Sequence, residues 1–187
     1  MKKIMFNDRY GLTKAVLEGR KTMTRRLVPE GTPFGSWEET LKKSRYQIGE
    51  VVAVAQSLRD MGYNPRDTKH KSGAIWGLDH TPAWTNKMFV SASECVHQIR
   101  ITNIRIERLQ DISDEDCIKE GVMSGCKIYM DLADRECCGP TTYAIDCCDE
   151  DFLTPQSAFS YLIDKVSGKG VWDSNPYVFV YEFELIR

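Results

Sequence analysis

Apolar and polar residues alternate strictly near the end of the chain. Aromatic and leucine side chains occupy every second position from Tyr177 to Leu185, and this period of two predicts a strand with one face towards the core. A continuous apolar run from Val51 to Ala55 predicts a strand that is buried on both faces. Shorter apolar runs predict strands at Ile4 to Phe6, Thr22 to Val28 and Lys87 to Val90. Strands are therefore expected to outnumber helices.

The longest predicted strand, Gln98 to Gln110, changes phase in its middle. Its isoleucines occupy odd positions first and even positions afterwards: Ile99, Ile101, Ile104 and Ile106. A β-bulge near Thr102-Asn103 would swap the two faces and bend the strand. The closing of a small barrel requires bends of this kind.

Capping residues predict three helices between these strands. Asparagine, serine and threonine favour the position before a helix, and glycine favours the position after it. The predicted helices follow Asn7, Ser113 and Thr154, and end before Gly19, Gly121 and Gly168. Pro155 strengthens the third start, because proline suits the first helical position. The expected fold is α+β, a small mixed β-barrel flanked by helices, with long loop insertions at about 57–86 and 126–151.

Length and composition favour a single folded domain spanning 1–187. The chain has 187 residues, of which 42% are hydrophobic and 28% charged, enough for a sizeable core. A formal net charge of −2 argues against a protein that coats nucleic acid by bulk charge. No stretch approaches the ~20 apolar residues of a membrane span. We expect a cytoplasmic protein without membrane association, and we infer no obligate protein partner.

The seven cysteines favour reduced thiols over a disulfide framework, because their number is odd and no signal-like apolar region begins the chain. Five of them lie in the second insertion: Cys126, Cys137, Cys138, Cys147 and Cys148. Their spacing lacks the paired C-x-x-C units of common zinc sites. We therefore expect free thiols on a variable loop, with no metal and no cofactor.

A cationic segment from Gly19 to Arg26 holds four cations and two threonines. An ammonium beside a hydroxyl, with guanidiniums nearby, suits an anion or a polarised carbonyl. The same cations could instead lie on a solvated helix end, where they offset the helix dipole. The residues alone leave both interpretations open.

Three blocks of the chain carry a resemblance to a known family. Gly19-x-Lys21-x-x-Thr24-x-Arg26 matches the signature G-x-K-x-x-T-x-R. Residues 105–116 are similar to the strand-to-helix segment of that family's phage and bacterial members, and Trp172 to Val178 resembles its W-x-x-N-P entry to the last strand. The family is the ASCH domains, within the PUA-like superfamily. The resemblance implies a PUA-like barrel and a cleft that binds RNA or a modified nucleoside.

The resemblance also implies a chemistry, since some small ASCH proteins are amidohydrolases that act on N4-acetylcytidine. Carried over, it makes Thr24 the nucleophile, Lys21 its base and Glu120 the acid and base for the leaving group. Arg26 would contact substrate or the oxyanion. Glu120 stands beside the glycine that ends its helix, where the helix dipole disfavours a carboxylate. A charged residue that is kept at an unfavourable position can indicate a functional role.

An RNA-binding module without catalysis is the alternative. Arg20, Lys21, Arg25 and Arg26 would then contact phosphates, and Tyr46 or Trp76 would stack on a base. Trp84 could stack as well, although tryptophans in such loops more often pin the loop to the protein body.

A ribonuclease is the third possibility. Metal-assisted cleavage would use clustered carboxylates, which are present as Asp114, Glu115, Asp116 and Glu120. The first three fit helix capping equally well. The histidines lie away from the cationic segment in sequence, at His70, His80 and His97, so a two-histidine mechanism has no particular support.

Overall fold

The computed structural model of the chain describes residues 1–32, 35–67, 76–130, 136–146 and 150–186, with the backbone alone at 126–130 and 136–140. Its strands are β1 (Lys3–Ile4), β2 (Met23–Leu27), β3 (Val51–Val54), β4 (Gln98–Arg108), β5 (Met123–Met130), β6 (Glu136–Ala144), β7 (Asp151–Phe152) and β8 (Tyr177–Ile186). Its α-helices are α1 (Leu12–Leu17), α2 (Trp37–Lys42), α3 (Asp114–Lys119), α4 (Pro155–Ser167) and α5 (Val171–Ser174). Short 3-10 turns occupy Asp8–Tyr10, Leu78–His80, Pro82–Trp84, Lys87–Phe89 and Leu109–Asp111.

The main sheet has five strands in the order β1-β3-β4-β8-β2. β1 pairs with β3 in parallel, and the other neighbours pair antiparallel. A second sheet has the order β5-β6-β7 and occupies much of the predicted second insertion. The mixed α+β class is as expected. The predicted closed barrel is not found, because no ladder joins β1 to β2 within the described residues.

The bulge in β4 is confirmed. Its pairing with β8 shifts between Ile101, opposite Phe183, and Asn103, opposite Glu182. Isoleucines before and after the shift are buried: Ile99, Ile101 and Ile104. Without the extra residue, Arg105 and Glu107 would share the face of the first isoleucines. The bulge instead directs these charges to the other face, which they share with Arg25 of β2.

Helix α3 is capped as predicted and is followed directly by Glu120, one of the predicted catalytic residues. The Ser113 hydroxyl accepts a hydrogen bond from the Asp116 backbone N–H. Gly121 follows with a φ of +109°, a conformation that glycine adopts readily and other residues do not. The turn directs Glu120 back towards the N-terminal part of the chain.

Helix α4 covers the core beside this turn. Its start is a capping box between Thr154 and Ser157, with Pro155 at the first position, as the sequence predicts. The helix buries Phe159, Leu162 and Ile163 against the sheet. No described helix is long and apolar enough to cross a membrane.

Two local predictions were wrong. Lys87 to Val90 forms a 3-10 turn rather than a strand, because the Lys87 ammonium donates to the Phe6 carbonyl and to Asp8, and ties the segment to another part of the chain. The predicted first helix is divided: Asn7 caps a 3-10 turn, and α1 begins only after Gly11, whose φ is +63°.

A second, smaller core joins the first insertion to β3 and to the segment before β4. Its buried residues are Ala53, Leu58, Leu78, Ala83, Val90 and Cys95. Trp84 packs against it, as expected for a tryptophan that pins a loop. Trp76, by contrast, is 82% exposed.

Gly121→Ala should lower the free energy of unfolding by about 1–3 kcal/mol, because a side chain there is strained by the backbone. An added Cβ would also lie 3.3 Å from Cδ2 of Leu12. Gly19→Ala is the matched control, since Gly19 has a φ of +77° and open space around it. Urea unfolding should show a larger loss for Gly121→Ala, and equal losses would contradict close packing at this turn.

Candidate functional site

Lys21 is held in place by the turn that follows α1. Its backbone N–H donates to the Ala15 carbonyl over 2.9 Å, and the Thr22 N–H donates to the Lys119 carbonyl over 3.0 Å. The side chain is 2% exposed. Its Nζ lies 2.6 Å from both the backbone oxygen and Oε2 of Glu120. The cationic segment is thus not a solvated helix end at this position.

Burial holds the pKa of Lys21 below its ordinary value of 10.5. The Glu120 carboxylate acts against this, whereas the positive charges of Arg26 and Arg25 lower the pKa further. The Phe6 ring, with its centroid 5.8 Å from Nζ, covers the ammonium on another side. A lysine with a lowered pKa is able to act as a base.

Glu120 has both carboxylate oxygens occupied. Oε2 accepts from Lys21, and Oε1 accepts from Nη1 of Arg25 over 3.2 Å. The side chain is 5% exposed. The carboxylate that sequence reasoning marked as misplaced therefore has two cationic partners close to it.

Arg25 joins three carboxylates in a buried cluster. Its Nη2 lies 2.5 Å from Oε1 of Glu107 and 3.1 Å from Oδ2 of Asp116, and Nη1 contacts Glu120. Burial alone would lower the pKa of Arg25, but Glu120 and Glu107 outweigh it and hold the pKa above its ordinary value. Arg105 extends the cluster by pairing with Glu107, Asp116 and Glu182. The guanidinium is a fixed positive charge that orients Glu120.

A cavity of about 310 Å³ brings the three predicted catalytic residues together; we call it the lysine cavity. Its polar lining includes Lys21, Thr24, Arg25, Arg26 and Glu120, and its apolar lining includes Phe6, Leu12, Phe159, Leu162 and Ile163. Thr24 is 4% exposed. Within the described residues its hydroxyl has no hydrogen-bond partner, so a ligand in the cavity can reach it.

Arg26 separates this cavity from a second one. Its Nη2 donates to the Met5 carbonyl over 2.6 Å, and its guanidinium lies 5.8 Å from the centroid of Phe6. Burial lowers the pKa of Arg26. The second cavity, also of about 310 Å³, is lined by Arg26, Tyr46 and Tyr181 among others; we call it the tyrosine cavity.

The other predicted contact residues are spread more widely. Arg20 pairs with Glu18 over 2.8 Å and lines neither cavity. Tyr46 is buried and lines the tyrosine cavity, where its hydroxyl donates to the Lys3 carbonyl over 3.2 Å. Trp76 lines neither cavity. Arg25 lines the lysine cavity, but protein carboxylates already use its donors.

Sequence reasoning missed Glu107 and Asp116 as partners of Arg25, and Arg105 as a second cation on the same two carboxylates. The available signal was the phase shift in β4, which places charged positions on one face after the bulge. The part of the chain with described side chains holds no cluster of three metal-ligating residues. The cysteine-rich stretch lies mostly outside the described side chains, as does His70. His97 contacts Oε1 of Gln56 through Nδ1, over 2.6 Å.

Arg25→Met should lower the free energy of unfolding by about 3–5 kcal/mol, because it leaves buried carboxylates without a partner. Arg20→Met, which removes a partly exposed pair, should cost about 0–1 kcal/mol. Unfolding by urea at pH 8 and pH 5 measures both. The deficit of Arg25→Met should shrink at pH 5, where protonation can relieve the uncompensated charge, and a pH-independent deficit would contradict this origin.

A crystal structure of an ASCH domain from Lactobacillus crispatus JV V101 is similar to this chain. The similarity covers 96% of this chain and 75% of that one, with 12% sequence identity and a TM-score of 0.40. No protein-family model and no curated protein matches the chain. At this identity and TM-score the likeness by itself assigns neither a fold nor an activity to this chain. The solved structure carries the name of the family whose motifs the sequence resembles.

Proposed function

We propose that the chain is an ASCH-type amidohydrolase that binds an N-acylated nucleoside, of the N4-acetylcytidine type, in the lysine cavity. One observation carries the proposal. Lys21, Thr24 and Glu120 come from two distant segments, and they line one cavity with Lys21 and Glu120 in direct contact. A base, a hydroxyl and a carboxylate in one cavity are the parts that amide hydrolysis needs.

The Lys21–Glu120 pair can supply both proton transfers. A proton moves from the ammonium to the carboxylate, which leaves a neutral amine beside a carboxylic acid. The amine keeps an N–H for the backbone oxygen of Glu120, and rotation about the Cε–Nζ bond turns its lone pair to the proton of Thr24. The lowered pKa of Lys21 favours this neutral form.

The activated oxygen of Thr24 then attacks the acyl carbon and forms a tetrahedral oxyanion. Arg26 lines the cavity, and its positive charge would stabilise this oxyanion. The C–N bond breaks, the electron pair returns to nitrogen, and Glu120 gives its proton to the leaving amine. Water then attacks the acyl-threonine and gives a proton to Glu120. The C–O bond to Thr24 breaks, the pair returns a proton to the threonine oxygen, and the carboxylic acid leaves. The side chains of the pair end in their starting protonation states.

The apolar lining suits a planar base. Phe6 and Phe159 lie among the lining residues, and aromatic rings stack on bases of any sequence. A cavity of about 310 Å³ is at the small end of ligand sites. Exclusion of water there would strengthen the charge interactions that the reaction uses.

A non-catalytic RNA-binding module would use the same region. The observation that favours it is Arg26, which forms no ion pair among the described residues and donates to the Met5 carbonyl. A ribonuclease has less to support it. Asp116 is engaged by Arg25 and Arg105, and Asp114 and Glu115 lie in the first turn of α3.

Thr24→Ala and Lys21→Ala should each slow the release of cytidine from N4-acetylcytidine by at least about 100-fold, because each removes a proton-transfer or nucleophilic group. Chromatography of the products measures the rate. Thr22→Ala is the matched control, since Thr22 is a near neighbour that does not line the cavity. Full activity in Thr24→Ala, or no activity in folded wild-type protein, would contradict the amidohydrolase.

The rate should fall as the pH rises, with a midpoint below 10.5, because the Lys21–Glu120 pair acts while it still holds its proton and burial lowers the pKa of Lys21. Glu120 raises the pKa of Lys21, so Glu120→Gln should move the midpoint of its residual activity to lower pH. The pH dependence of kcat/KM from pH 5 to 10 measures both. A midpoint that Glu120→Gln leaves unchanged would contradict Lys21 as the base.

A further inference from the structure

The tyrosine cavity carries positive charge that no carboxylate neutralises. Arg26, Lys43 and Arg45 line it, together with residues that bear no negative charge. Within the described residues, neither Lys43 nor Arg45 forms an ion pair, and both are exposed at the cavity. Lys3 is different, because its ammonium already donates to three backbone carbonyls of 87–90.

The lysine cavity is the contrasting case. Two of its cations, Lys21 and Arg25, are matched by Glu120, Glu107 and Asp116, and the third, Arg26, is shared with the tyrosine cavity. The two neighbouring cavities therefore differ in charge, because the tyrosine cavity has Lys43 and Arg45 as further cations without an ion pair among the described residues. Such an excess at a concave site attracts anions.

Aromatic residues form the walls of the tyrosine cavity. Tyr46 packs edge-on against Tyr181 at 5.3 Å between ring centroids, and Phe179 lies 6.2 Å from Tyr181. The Tyr181 hydroxyl accepts from the Arg45 backbone N–H over 3.2 Å. The Arg45 guanidinium lies 5.6 Å from the centre of the Tyr46 ring. Burial raises the pKa of both tyrosines, which keeps them neutral beside the cations.

The two cavities adjoin through β2. Arg26 and Leu27 line both of them, and Arg26 contacts Met5 on one side and Phe6 on the other. A ligand whose base occupies the lysine cavity can extend past Arg26 into the tyrosine cavity. For a nucleoside, the group that would extend in this direction is a phosphate on its sugar.

We infer that the substrate is phosphorylated, with its phosphate bound by Arg26, Lys43 and Arg45 in the tyrosine cavity and its acylated base in the lysine cavity. The location of the base rests on the proposed function, whereas the phosphate site rests on the cations and walls of the tyrosine cavity. The phosphate can belong to a free nucleotide or to an RNA strand, and guanidinium and ammonium groups bind it in either case.

Kinetics with paired substrates test the inference. Wild-type protein should have a kcat/KM for N4-acetylcytidine 5′-monophosphate or 3′-monophosphate at least about tenfold above that for N4-acetylcytidine, as expected for one or two charge-assisted contacts. Lys43→Gln/Arg45→Gln should abolish this preference and leave the nucleoside value unchanged. Lys42→Gln, at an exposed neighbour outside the cavity, should retain the preference. Equal values for nucleoside and both nucleotides in wild type, or a preference that survives the double substitution, would overturn the inference.

Calorimetric binding of cytidine and its two monophosphates separates this inference from the proposed function, because it needs no hydrolysis. Binding of a monophosphate that depends on Lys43 and Arg45, combined with no hydrolysis of the acetylated nucleoside and nucleotides, would support the phosphate site and reject the amidohydrolase. Hydrolysis of the acetylated substrates without a preference for the nucleotides would support the amidohydrolase and reject the phosphate site. A short RNA with one internal N4-acetylcytidine forms the last arm, and faster turnover of this RNA than of either nucleotide would identify a phosphodiester as the natural source.

Discussion

The contact between the Arg25 guanidinium and three carboxylates determines how the candidate site is built. It joins β2 to β4 through Glu107 and to α3 through Asp116 and Glu120. Buried ions are costly to desolvate, and their attraction repays this only when every group has partners in good geometry. The cluster meets that condition: no side-chain nitrogen or oxygen that is completely shielded from solvent in the described residues lacks a hydrogen bond. Glu120 is consequently fixed beside Lys21 before any ligand arrives.

Both cavities lie at the open side of the main sheet. β2 pairs only with β8, and no ladder closes the gap to β1 within the described residues. Both cavities include residues of β2 and of the segment after β1. Arg26 bridges this gap through the Met5 carbonyl. The two cavities therefore adjoin at this gap. The lysine cavity contains the Lys21–Glu120 pair, and the tyrosine cavity is cationic with aromatic walls.

Much of the fold follows from local patterns, and less of the site does. The phase shift in β4 predicts the bulge, and the capping residues predict α3 and α4, because backbone geometry and burial leave periodic signals. Glu120 is recognisable as a carboxylate at the wrong end of a helix. The partners of Arg25 are not predictable in this way, since a strand pattern shows which face is buried but not which strand pairs beside it. Lys43 and Arg45 likewise have no distinguishing signal in the sequence, because they look like cations on any exposed loop. Their role becomes visible only in the structure, where they lie beside Tyr46 and Tyr181.

The reaction of the protein with N4-acetylcytidine in the presence of hydroxylamine tests the central claim most directly. If Thr24 carries the acyl group, hydroxylamine should compete with water for it and give acetohydroxamate above the uncatalysed background, in an amount that increases with hydroxylamine concentration. Thr24→Ala should give only the background. Enzymatic release of cytidine with acetate as the sole acyl product at every hydroxylamine concentration would contradict an acyl-threonine, and failure of the folded protein to release cytidine would contradict the hydrolase.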